Sequence, residues 1–206
     1  MKILILFYIS LLSFPLWARN WEYYTNYKLV TPINKSKNIF FNFGEEIRYK
    51  KGINYYRKSS FGFSRKIGSH LSLGFYYGFE SKRENNWHPW HMFWPQLDYN
   101  ILGRYISFSS STKLERHCHK DRYRIREKVK FVLPWGKKIS FFFGDEGRIF
   151  SLFSSPYGGE NEVFSGLAIR LSHNLCAEIY YDLRRTKKDG VWYNTNCLRT
   201  NFNFKF

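Results

Sequence analysis

The chain has 206 residues, a formal charge of +17 and 21% aromatic side chains, a length that suits one domain. Beyond residue 18 no apolar run reaches the roughly 18 residues that mark a spanning helix, which excludes a helical membrane protein. A cationic surplus of this size suits nucleic acid, an anionic membrane or anionic solutes, and an export segment at the start of the chain argues against the first.

That segment is Met1 to Ala18: one cation, Lys2, then an apolar run from Ile3 to Trp17 broken only by Ser10, Ser13 and Pro15. It is too short to span a bilayer and has the form of a secretory signal with a small-residue cleavage site at Ala18. We therefore expect residues 1–18 to be a signal peptide and 19–206 a single folded domain. No Cys follows Ala18, so a lipoprotein anchor is not expected.

From residue 21 onward the pattern has a period of two, the signature of strands. Residues 21–31 set Trp21, Tyr23, Thr25, Tyr27 and Leu29 against Glu22, Tyr24, Asn26 and Lys28, and residues 38–49 set Ile39, Phe41, Phe43 and Ile47 against Asn42, Gly44, Glu46 and Arg48. Residues 55–67 and 71–80 form a hairpin on Gly68, Ser69 and His70, its second arm alternating Leu73, Phe75, Tyr77 and Phe79 with Gly74, Tyr76, Gly78 and Glu80. Residues 81–94, with Trp87, Pro89, Trp90 and Trp94, read as a long external loop. Strands at 97–102, 106–116, 122–132 and 139–149 follow, then a second long loop at 150–161, a hairpin of 162–171 with 175–185, and a last strand at 192–206.

Eleven strand-like segments are an awkward count, because bacterial barrels of this kind carry an even number. A further crossing hidden near Trp87 to Trp94 makes twelve, the preferred reading; an incomplete first segment makes ten. Apolar and polar faces alternate along every segment, and aromatics recur at both ends of the segments, as two interfacial girdles require. The expected fold is thus all-β, a transmembrane antiparallel up-and-down barrel.

Trp21, the Glu46 and Arg48 pair, Tyr123 with Arg124 and Arg126, the aromatic run before Gly144 and Glu146, and Gly166 followed by Glu178 and Tyr181 together make the chain resemble the outer-membrane β-barrel family of domain of unknown function 2490. The terminal Phe206, on a face with Phe202 and Phe204, likewise resembles the assembly signal of outer-membrane barrels. These resemblances imply a bacterial outer-membrane location, with the barrel assembly machinery and outer-membrane lipid, anionic lipopolysaccharide included, as partners, and no nucleic acid. They imply no activity.

The face assigned to the lumen carries Glu46, Arg48, Glu80, Glu115, Glu146, Arg148, Glu178, Asp182 and Arg184, and one strand aligns Arg122, Arg124, Arg126, Lys128 and Lys130 roughly 6.6 Å apart. An ion-pair filling of the lumen is the plain reading; a narrow, anion-preferring conduit is the functional one. His117, Cys118 and His119, with His88 and His91, offer imidazole and thiolate, but such pairs arise readily by chance and neither metal nor cofactor is expected. His70 with Ser72 and Ser172 with His173 lie at turns, no Gly-x-Ser-x-Gly elbow exists, and no catalytic residue is assigned. The alternatives are an outer-membrane enzyme acting on lipid or peptide and a soluble secreted β-barrel carrier. Cys118, Cys176 and Cys197 are an odd set, and the hairpin register separates the last two too far for a disulfide.

Overall fold

A computed structural model describes residues 21–34, 36, 38–83, 87–118, 122–150, 157–188 and 190–206. Residues 1–18, expected to be a signal peptide, lie outside the described residues. Eleven strands follow in order: β1 (Trp21–Pro32), β2 (Ile39–Lys50), β3 (Ile53–Ile67), β4 (Leu71–Arg83), β5 (Trp87–Ile101), β6 (Ser107–His117), β7 (Arg122–Trp135), β8 (Ile139–Phe150), β9 (Tyr157–Arg170), β10 (Leu175–Lys188) and β11 (Val191–Lys205). Each pairs antiparallel with its neighbour in sequence, and the sheet closes into a barrel by pairing β1 with β11 in parallel. An odd number of strands forces that parallel seam, since β1 and β11 then run the same way.

The count corrects the expectation of twelve strands, and of ten. The stretch from Trp87 to Trp94 is neither a loop nor an extra crossing but the first half of β5, paired residue for residue with β4 from Arg83↔Trp87 to Leu71↔Tyr99. Its prolines read as loop signals because proline cannot donate to a ladder. In the barrel, Pro95 pairs with Phe75 on the β4 side, while the β5–β6 ladder is interrupted between Phe93↔Arg116 and Gln96↔Lys113, the edge where the missing donor is absorbed. The expected loop at 150–161 shrinks likewise, because β8 runs to Phe150 and β9 starts at Tyr157.

The barrel has two rims. The upper one carries Trp21, the turn at 51–52, and the facing ends of β4 and β5, β6 and β7, β8 and β9, and β10 and β11; the lower one carries Phe206, the facing ends of β1 and β2, and the connections 68–70, 102–106, 136–138 and 171–174. Short turns occur at both rims, at 51–52 above and at 68–70 and 136–138 below. The tightest, Lys51-Gly52, has φ of 51° and 75°. Two positive values are what a two-residue turn needs to match the twist of its strands.

Outward faces are apolar and exposed. Phe61, Phe63, Phe75, Phe93 and Leu97 adjoin across β3, β4 and β5, each at least 44% exposed. Aromatic pairs extend the band, including Tyr27 with Phe202, Phe131 with Phe143 and Trp135 with Phe141. It is interrupted on β6 to β9, where Glu127 accepts hydrogen bonds from Ser110 (2.6 Å) and Thr112, and Asp145 accepts one from Asn161 (2.7 Å).

Inward glycines make room for rings. A Cβ on Gly78 would sit 2.6 Å from the Trp94 ring, and one on Gly144 would strike the ring of Phe164. These bare positions let Tyr76 stack on Trp94 (5.5 Å between centroids) and Phe142, Phe164 and Tyr180 cluster inside the barrel.

Candidate functional site

Inward positions of the upper half form one continuous ion-pair belt. Arg148 donates to Glu146, Glu160 and Glu162 at 2.8, 2.6 and 2.9 Å. Arg184 reaches Glu22 at 3.4 Å and both Glu160 and Glu162 at 3.0 Å, and Arg199 bonds Glu162 at 2.6 Å and pairs with Asp182. Around the other side Arg124 and Arg126 hold Glu115, Arg126 also pairs with Glu146, and Arg48 pairs with Glu46.

Aromatic rings hold the guanidinium groups apart. Arg48, Arg184 and Arg199 lie 4.5, 4.9 and 4.4 Å from the centroid of Tyr24, whose hydroxyl donates to Glu22 at 2.8 Å. Facing the negative ring surface lowers the cost of packing like charges together. Tyr56 caps the other face of Arg48 at 4.1 Å and donates to Glu80 at 2.8 Å.

The centre of the belt is dry. Glu115 and Asp182 are 0% exposed and Glu162 2%, whereas side chains on the wall of a water-filled channel would stay wet. Charges buried this deeply persist only when paired and hydrogen-bonded, and here pairing comes from β1, β2, β6, β7, β8, β9, β10 and β11.

The basic row of β7 is consumed in this packing. Arg124 and Arg126 belong to the belt, Lys130 pairs across the lumen with Glu178 at 2.7 Å, and Lys128 lies 4.5 Å from the centroid of Phe164. Glu178 thus quenches the row from across the lumen, while Glu46 turns to Arg48. The Arg122 side chain lies outside the described residues.

Below the belt the same inward face opens to water. Two adjoining cavities, about 220 and 290 Å³, share Lys28, Asn42 and Tyr76. The upper one reaches Glu46, Lys58, Lys113 and Arg126 on the underside of the belt. The other is walled by Ser64, Ser72, Ser109, Ser111, Asn100 and Asp98, with Lys66 and Lys205 at the lower rim. Lys28, Lys66 and Lys205 are exposed although they stand on inward positions.

Several residues of this site escaped the sequence reading: Glu22, Lys58, Lys113, Glu160, Glu162 and Arg199. Parity alone would have found Glu22 and Arg199, each on the polar face of its strand. Glu160 was hidden in the supposed loop at 150–161, and Glu162 stood at the very start of the segment read after it. Lys58 and Lys113 follow parity too, Lys58 with Ser60, Gly62 and Ser64 and Lys113 with Ser111 and Glu115. The histidines are scattered. His70 Nδ1 lies 2.9 Å from the Asn100 carbonyl at the lower rim, His91 faces outward beside Tyr77, and the His88 and His119 side chains are outside the described residues. Among the described residues no three His, Cys, Asp or Glu side chains group as metal ligands. Register pairs Cys176 with Asn203 and Cys197 with Asp182, and all three cysteines are free.

The profile of a family described as Protein of unknown function (DUF2490) matches residues 21–195, which runs from the first residue of β1 into β11. Neither the curated proteins nor the solved structures offer a match.

Proposed function

Since the chain belongs to this DUF2490 family, we propose that it is a bacterial outer-membrane β-barrel, exported behind residues 1–18, whose lumen is closed at rest by the ion-pair belt, and that its role is structural or that of a gated, anion-preferring conduit. The observation that carries the reading is inverted polarity: Phe75 is 62% exposed on the outside while Glu115 is 0% exposed inside. A soluble barrel buries its apolar face, and one leaving so wide an aromatic band in water would aggregate. Lipid covers such a band, and strands of 11 to 15 residues meet or exceed the roughly 9–11 that a tilted membrane strand needs. Lipopolysaccharide and the assembly machinery are the partners this location supplies, and no catalytic role is assigned.

Gel mobility tests the location. The protein should stay in the membrane fraction until detergent is added and should migrate differently boiled and unboiled. Recovery from the periplasm without detergent, with one mobility under both conditions, overturns the reading.

A further inference from the structure

The lower vestibule combines a surplus of positive charge with a lining of neutral hydrogen-bonding groups. Its two chambers gather Lys28, Lys66, Lys113 and Lys205, none of which has a carboxylate within ion-pair distance among the described residues. Asp98 is the acid nearest the mouth, and both its oxygens accept from Gln96, at 2.7 and 2.9 Å. The belt above is charge-paired; the excess lies below it.

From this we infer that the vestibule is a binding site for a small phosphorylated sugar entering from the lower rim. Lysine ammonium groups act as point charges toward phosphate, and several converging on one cavity match a dianion. The hydroxyls of Ser64, Ser72 and Ser109 and the amide of Asn100 line the lower chamber with donors and acceptors that a bare inorganic anion would leave unused. The cavities are of the size at which small-molecule sites begin. The floor is rigid: Trp94 is 4% exposed, stacked on Tyr76 and covered by Lys58 at 4.6 Å. With the belt closed, a ligand that enters here must leave the way it came, so the site binds and holds. The inference depends on the lumen alone and not on the membrane location.

Calorimetric titration of the full barrel refolded in detergent, with glucose 6-phosphate as probe and inorganic phosphate and glucose in parallel, tests it. Glucose 6-phosphate should bind at least tenfold more tightly than inorganic phosphate, and glucose should give no heat. The pair Lys28→Gln with Lys113→Gln should weaken binding at least tenfold, whereas Lys50→Gln at the opposite rim should leave it unchanged. If the first pair does not refold, Lys66→Gln with Lys205→Gln at the exposed mouth serves the same comparison. Absence of binding, equal affinity for the two phosphates, or equal loss in Lys50→Gln overturns the inference.

Discussion

Phe75 and Glu115 occupy opposite ends of one polarity scale, and each is intelligible only from the side of the wall it faces. Phe75 stands beside Phe63 and Pro95, its ring turned out and 62% exposed. In lipid, Phe75→Lys should cost about 2 to 4 kcal/mol if the position lies near the bilayer centre. In water, removing an exposed ring should cost nothing or even stabilise. Denaturant titration of the variant refolded into bilayers measures the difference, and an unchanged midpoint would overturn the membrane placement. Glu127 and Asp145 are outward exceptions, made tolerable by the Ser110 and Thr112 hydroxyls and by the Asn161 amide that bond their carboxylates.

Among the strands, β5 and β11 teach most. Prolines at 89 and 95 and a density of tryptophan made the first half of β5 look like a loop, yet alternation places Trp90, Met92 and Trp94 inward with Pro89, His91, Phe93 and Pro95 outward. Period two outranked the local breakers because the β4 ladder could form without the missing donors. β11 closes the barrel against both β1 and β10, and its last residue still takes part: the Phe206 amide donates to the Val30 carbonyl at 3.0 Å. If Phe202, Phe204 and Phe206 act as an assembly signal, deleting Phe206 removes one backbone hydrogen bond and one ring from a finished barrel, yet should sharply reduce the amount reaching the outer membrane. Immunoblotting of fractionated cells reads this out, and an undiminished outer-membrane yield would reject the signal.

Across the whole molecule, the belt divides a paired upper lumen from a cationic lower one, and this governs conduction. The wild-type barrel should be silent in a planar bilayer, because the belt excludes water. Glu115→Gln and Glu162→Gln each leave buried arginines short of a partner, a change of the kind that costs roughly 3 to 5 kcal/mol, and should loosen the belt while raising its positive charge. Current through these variants should reverse on the anion side of a salt gradient. Steady conductance in the wild type would overturn the closed lumen, and cation preference in the variants would overturn the charge argument.

What the sequence alone determined is the set of faces. Strand parity follows from a backbone period of two, so Phe41, Phe43, Leu73, Phe75, Ile125, Val129, Phe141, Phe143, Leu167, Ile169, Ile179, Phe202 and Phe204 could be sorted to one face and the charges from Glu46 to Arg184 to the other without coordinates, while which face points outward is set by the closed sheet. Strand number was legible in the count of eleven segments and was overridden by the rule of even counts, which comes from other barrels, whereas closure here depends on β1 meeting β11 in parallel, a contact between the two ends of the described chain. Nor could alternation say whether five aligned cations line an open pore. Glu115 and Glu146 stand beside the row on the neighbouring strands β6 and β8, as the order of segments already placed them, whereas only the curvature of the closed sheet brings Glu178 of β10 within reach of Lys130.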